Sequence, residues 1–127
     1  MRCPCNSGDV YDACCHPLLM GEGVAPTAVR LMRSRFTAFA TGDAAYLLRS
    51  WHPSTRPDEL TLDPETRWTR LDILDTVAGG PFDGTGIVEF EAFYREGTLR
   101  TSMRERSSFI REDRIWSYVD GTPGQPI

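Results

Sequence analysis

The apolar positions of the chain follow two different periods, one in each half. Val29, Met32, Phe36 and Phe39 are separated by three, four and three residues, which returns each side chain to the same side of an α-helix. Pro26 suits the first helical position and Gly42 the end, so a helix is predicted between them. Arg30, Arg33 and Arg35 flank the stripe, and Asp43 can cap a shorter second helix carrying Tyr46, Leu47 and Leu48. Trp51 to Pro64 is polar and broken by prolines, hence a loop. After it the period falls to two. Residues 67–77, 86–95, 98–111 and 114–119 are predicted strands, and Glu96-Gly97 and Glu112-Asp113 are short enough to turn hairpins. The last three strands therefore form an antiparallel meander, and helices followed by a sheet give an α+β class.

Alternation along 98–111 places Leu99, Thr101, Met103, Glu105, Ser107 and Phe109 on the inward face, with Arg100, Ser102, Arg104, Arg106 and Ser108 on the other. A carboxylate at 105 needs a cationic partner or an altered pKa, and the second route is how a general acid or base is made. Glu105 is thus either a pocket carboxylate or one half of an ion pair with Arg33 or Arg35 of the helix. His52, next to Trp51, opens the central loop, and with Asp75, Tyr46, Trp116 and Tyr118 it could complete an acid/base pocket; the plainer alternative is that its ring anchors a turn. Trp68, Phe90, Phe93, Trp116 and Tyr118 serve equally well as core or as a dimer surface. Glu89 and Glu91 can pair across strands with the outward arginines.

The chain has 127 residues, of which 40% are hydrophobic and 25% charged, enough for one core and too apolar for disorder. Its apolar runs are too short to span a membrane. Eighteen acids against 14 bases give a formal charge of −4, and every base is arginine. Net acidity argues against nonspecific nucleic-acid or anionic-membrane binding, and the absence of lysine removes Schiff-base chemistry. Met1-Arg2-Cys3-Pro4 does not begin an apolar signal segment, so a cytoplasmic, thiol-reducing location is expected.

All four cysteines lie in the first 15 residues, as Cys3-Pro4-Cys5 and Cys14-Cys15. Two close pairs joined by one excursion, turned by Asn6-Ser7-Gly8, can present four sulfurs to one tetrahedral ion. Zinc is the expected metal. His16 is an alternative to Cys15, and free or redox-active thiols are the alternative to a metal. Four protein ligands close the coordination sphere, which makes the ion structural, not hydrolytic.

Cys-x-Cys followed by Ser7-Gly8, Tyr11 and Cys14-Cys15 resembles the SEC-C zinc motif found at the C-terminus of the SecA translocation ATPase and on small bacterial proteins. With Met32-Arg33-Ser34-Arg35-Phe36, the segment Trp51 to Pro57, and Trp116-Ser117-Tyr118-Val119-Asp120-Gly121, the chain resembles the bacterial YchJ-like family over essentially its whole length. The resemblance implies a zinc knuckle at 1–20 and, at 25–122, a nuclear transport factor 2-like cone with a long helix inside a curved antiparallel sheet; Pro17, Gly21 and Gly23 make 16–25 read as the linker between them. Such cones often enclose a pocket and often dimerise through the sheet. Asn6 stands where the motif usually has Gly, and Asp9 and Asp12 stand in a loop that is Lys-rich in SecA, which speaks against an acidic partner such as SecB. The reading is a zinc protein that meets a protein partner through the knuckle loop, with a homodimer through the sheet as a further expectation. The alternative is a small-molecule enzyme of hydratase, isomerase or hydrolase type. Its acid/base candidates are Glu105, His52 and Asp75, in a pocket of Trp51, Tyr46, Ser107, Trp116 and Tyr118.

Overall fold

Apolar stripes of period 3.6 and 2.0 can both be buried only if the helix lies against the sheet, and that packing organises the molecule. The structure, a computed structural model, describes residues 1–123. A 3-10 turn at Tyr11–Ala13 is followed by helices α1 (His16–Leu19), α2 (Ala28–Thr41) and α3 (Ala44–Arg49), then by strands β1 (Thr66–Ala78), β2 (Thr85–Glu96), β3 (Leu99–Glu112) and β4 (Ile115–Pro123). The strands form one antiparallel sheet in the order β1-β2-β3-β4, so the meander includes all four. Irregularities at Trp68/Arg70 and Ile73/Asp75 in β1, and at Val119 of β4 opposite Ser108/Phe109, bend the sheet around α2. No helix among the described residues is long and apolar enough to cross a membrane.

The helix begins later than the sequence predicts. Thr27 is the N-cap, its hydroxyl accepting from Arg30 N at 3.2 Å, and Pro26 lies just outside, where its carbonyl accepts from Trp116 Nε1 at 3.3 Å. A hydroxyl that satisfies an orphan N–H outweighs the preset φ of proline. The other end is as expected: Gly42 takes a left-handed φ of 81°, and Asp43 caps α3 through Tyr46 N at 3.0 Å. The stretch 16–25 is not a free linker either. His16–Leu19 makes one helical turn that buries Leu18 and Leu19, and Ala25 is buried with them. Two adjacent leucines gain more by burial than a solvated connection would allow.

The core lies between α2 and the inner sheet face, where Leu31, Met32 and Phe36 meet Leu71, Val88, Phe90 and Phe109. Cys3, Cys5, Cys14 and Cys15 belong to the same cluster. At the start of α2 the backbone comes close to the β1–β2 turn, with Ala28 N donating to Gly79 O at 3.0 Å. A Cβ at Gly86 would sit 2.6 Å from Gly79 Cα, so glycine is required there.

Candidate metal centre and ligand cavity

Local folding gathers the cysteines. Asn6 turns the chain at a positive φ of 64°, Cys3 N donates to Asp9 O at 2.9 Å, and the 3-10 turn delivers Cys14 and Cys15 beneath the first pair. All four sulfurs lie within 4.8 Å of one another, with Cys5 to Cys14 at 3.6 Å and Cys14 to Cys15 at 3.9 Å. A tetrahedral ion with metal–sulfur bonds of about 2.3 Å needs sulfur–sulfur edges of about 3.8 Å, so the set fits one. None of the four cysteines is more than 4% exposed. His16 lies outside the set, with Nδ1 3.9 Å from Asp12 Oδ1 and its ring 5.0 Å from that of Tyr11. The clustered set is thus Cys3, Cys5, Cys14 and Cys15.

The surroundings suit thiolates. Arg30 donates from Nη1 to Cys14 Sγ at 3.2 Å and from Nη2 to Cys14 O at 3.1 Å, and Ser7 Oγ lies 3.1 Å from the same sulfur. Hydrogen bonding from Cys15 draws the Cys5 thiol down to about 4, while the bond to Cys5, together with burial, drives Cys15 upward. Four thiols this close cannot all ionise unaided, and a shared cation removes that conflict. Arg33 Nη1 donates to Cys5 O at 2.7 Å, Thr37 Oγ1 lies 3.6 Å from Cys3 Sγ, and Asn6 Oδ1 accepts from Leu71 N at 2.8 Å. The knuckle is fastened to α2 and to β1 by polar contacts around its rim.

On the other side of α2 a cavity of about 340 Å³ opens between helix and sheet. Its walls are mostly apolar, from Met32, Phe36, Phe39, Trp68, Phe90 and Met103, and its polar groups are Arg35, Glu105, Ser107 and Tyr118, with Trp51 beside them. Glu105 Oε2 accepts from Ser107 Oγ at 2.6 Å. The carboxylate lies against Gly121, where any added side chain would collide with it. Tyr118 is pushed up to about 12, first by burial and then by the nearby Glu105 charge. Burial takes Arg35 down to about 10, so it stays cationic at neutral pH.

Glu105, Ser107, Trp51 and Tyr118 thus share one cavity, whereas the other sequence-predicted residues lie elsewhere. Asp75 is on the outer sheet face, 3.3 Å from Arg106 Nη1, because β1 is irregular between Ile73 and Asp75, which sets Asp75 opposite the outward Glu89 and off the face that carries Ile73. His52 is tied outside the cavity, Nε2 to Glu112 Oε1 and Nδ1 to Ser54 Oγ, both at 2.7 Å, with its backbone N–H on Tyr118 O. Its ring anchors a turn. Tyr46 turns its hydroxyl to Ser34 Oγ at 2.6 Å, and Trp116 is held by Pro26; neither lines the cavity. The ion pair of Glu105 with Arg33 or Arg35 does not form: Arg33 serves Cys5, and Arg35 Nη1 donates to Leu47 O at 2.8 Å and Ser50 Oγ at 2.7 Å. On the outer face Glu89 takes both Arg104 and Arg106, at 3.0 and 2.9 Å, while Glu91 accepts from Ser102.

Sequence reading missed Arg35 as a cavity residue and Arg30 as a sulfur donor. The first was detectable. Arg35 stands three residues after Met32 and four before Phe39, on the apolar stripe and not beside it.

Comparison with known proteins follows the same division. A family model described as YchJ, middle NTF2-like domain, matches residues 27–121. The UPF0225 protein SCO1677 of Streptomyces coelicolor is 54% identical over 119 residues, covering 94% of this chain and 93% of its own length. A solution structure of a SEC-C motif containing protein from Rhodopseudomonas palustris has a TM-score of 0.85 at 32% identity, covering 98% of this chain and 100% of that one. A crystal structure of a SEC-C motif containing protein from Psychrobacter arcticus shares the fold, with a TM-score of 0.76 at 23% identity over 98% of this chain and 84% of its own.

Proposed function

The chain belongs to the YchJ family, and from that premise we propose that it is a small-molecule-binding protein whose working site is the cavity beside α2 and whose cysteine knuckle holds a structural zinc ion. The observation that carries this reading is Glu105: a carboxylate on the wall of an apolar cavity, with a hydroxyl neighbour and no cation within ion-pairing distance among the described residues. A half-buried carboxylate with no cation beside it gains a polar partner when a ligand fills the cavity. The enzymatic version of the proposal gives Glu105 the role of acid/base group, with the Tyr118 hydroxyl beside it.

Cys3, Cys5, Cys14 and Cys15 would hold the zinc, which supplies a cross-link between the knuckle's two cysteine pairs and no open coordination position. Four reduced thiols suit the cytoplasm, the location proposed here. The test is native mass spectrometry of freshly purified protein with elemental analysis of the same sample. One zinc per chain and a co-purifying small molecule are expected, the molecule being lost from an Ala92→Leu variant that fills the cavity but keeps its zinc. A protein that carries no ligand and takes up none from a panel of amino-acid-sized probes sinks the cavity reading.

A protein partner is the second reading, favoured by the exposure of Asp9, Val10 and Asp12 on the rim of the knuckle. It is separated by Asp9→Ser/Val10→Ser, which leaves the cysteines in place. Loss of specific captured proteins supports it, and an unchanged set removes it.

A further inference from the structure

The cavity holds one basic and one acidic side chain that form no ion pair with each other within 4.0 Å. Arg35 is 3% exposed, and no carboxylate lies within 4.0 Å of it among the described residues. Both of its hydrogen bonds to protein leave from Nη1, so Nε and Nη2 keep free N–H groups. Arg104 Nε is the one fully buried side-chain polar atom without a partner among the described residues, so the free Arg35 donors reach open space, and the space Arg35 lines is the cavity. The guanidinium carbon lies over the rings of Tyr118 and Trp51, 4.4 and 5.2 Å from their centroids. Glu105 lines the same cavity, with Oε2 accepting from Ser107 Oγ and its carboxylate close against Gly121.

A ligand with a single charge meets one of these groups favourably and the other unfavourably. A neutral apolar ligand strips water from both and pairs neither. A ligand bearing an anion and a cation a few bonds apart satisfies both. The remaining walls, Phe36, Phe39, Trp68, Phe90 and Met103, call for an apolar body. A volume of about 340 Å³ is at the small end of ligand cavities, which excludes peptides.

Building on the cavity reading above, we propose that the ligand is a small zwitterion with an apolar body, the class of free amino acids with aromatic or large aliphatic side chains, its carboxylate held by Arg35 and its ammonium by Glu105.

The test is calorimetric titration of the zinc-loaded full chain with four probes sharing one ring: phenylalanine, 3-phenylpropionate, phenethylamine and 2-phenylethanol. Phenylalanine is expected to bind roughly tenfold or more tighter than either singly charged probe, the fold-change that one charge-assisted contact carries. Glu105→Gln keeps an oxygen for Ser107 and removes the charge, so it should lower phenylalanine affinity to about that of 3-phenylpropionate. Equal or tighter binding of the neutral or a singly charged probe overturns the zwitterion assignment while leaving the cavity reading intact. So does a probe ranking unchanged by Glu105→Gln. Binding of none of the four, with Arg35 and Glu105 bridged by solvent alone, overturns both. The probe ranking on the unsubstituted protein decides the matter even if the variant does not fold.

Discussion

The knuckle and the cavity lie on opposite sides of the same helix, and each concentrates ionisable groups in a buried place. In the knuckle the groups answer one another. Four sulfurs face a common centre, and Arg30, Ser7 and Thr37 supply donors around them. In the cavity they do not: Arg35 bonds protein through Nη1 alone, and Glu105 accepts from Ser107 and forms no ion pair among the described residues. A cluster that one shared ion and its surrounding donors can close lowers the energy of the fold, whereas charges that no ion or protein group pairs raise it and recover the cost when a ligand binds. The first is therefore read as structure and the second as function.

The comparison breaks most decisively at the knuckle. Cys14→Ser should abolish metal binding and lower stability by several kcal/mol, since a structural zinc site contributes folding free energy directly. Metal content and the thermal midpoint read the effect, and a variant that melts with the parent shows that the cluster is not a staple. Next comes Arg35→Met, which leaves Leu47 O and Ser50 Oγ without their donor; a loss of about 1–3 kcal/mol in denaturant unfolding is expected. A gain in stability would mean that the unpaired charge costs the fold more than its hydrogen bonds return. Arg30→Ala removes a donor to sulfur and should weaken zinc affinity by roughly 10–100-fold in competition with a chelator, at little cost to the rest of the fold. The smallest effect is at alkaline pH. Tyr118 titrates near 12 in the fold against 10 for the free side chain, so the unfolded chain releases this proton first. Its contribution is whole below about pH 10 and is lost as the pH climbs toward 12. Tyr118→Phe should flatten that limb of the stability profile, and a profile identical to the parent's removes the assignment.

Much of this organisation was legible in the sequence, for reasons of period. The α2 stripe and the four strands stand out because burial on one side imposes a repeat, and the cysteine pairs because metal ligation imposes a spacing. Glu105 and Ser107 were placed inward correctly because β3 alternates without interruption through them. Asp75 could not be told from a pocket residue, because the register shift that sets it opposite Glu89 leaves no mark in the sequence. Tyr46 and Trp116 are aromatic and inward, yet each spends its polar atom on a neighbour, Ser34 and Pro26, that only the folded chain supplies. The one-turn helix at His16–Leu19 was concealed by the prolines and glycines around it, which signal a connection whether or not its leucines are buried.

The bond from Leu71 N to the Asn6 side chain bears on the order in which the molecule assembles. Each strand of the meander pairs with its neighbour in sequence, so the sheet grows through short closures, whereas Asn6 and Leu71 are 65 positions apart. Closing so long a loop before the sheet exists costs chain entropy that nothing yet offsets. The N-terminal segment is thus expected to dock late, onto a hairpin already formed, and a newly made chain would have its sheet before it captures its ion.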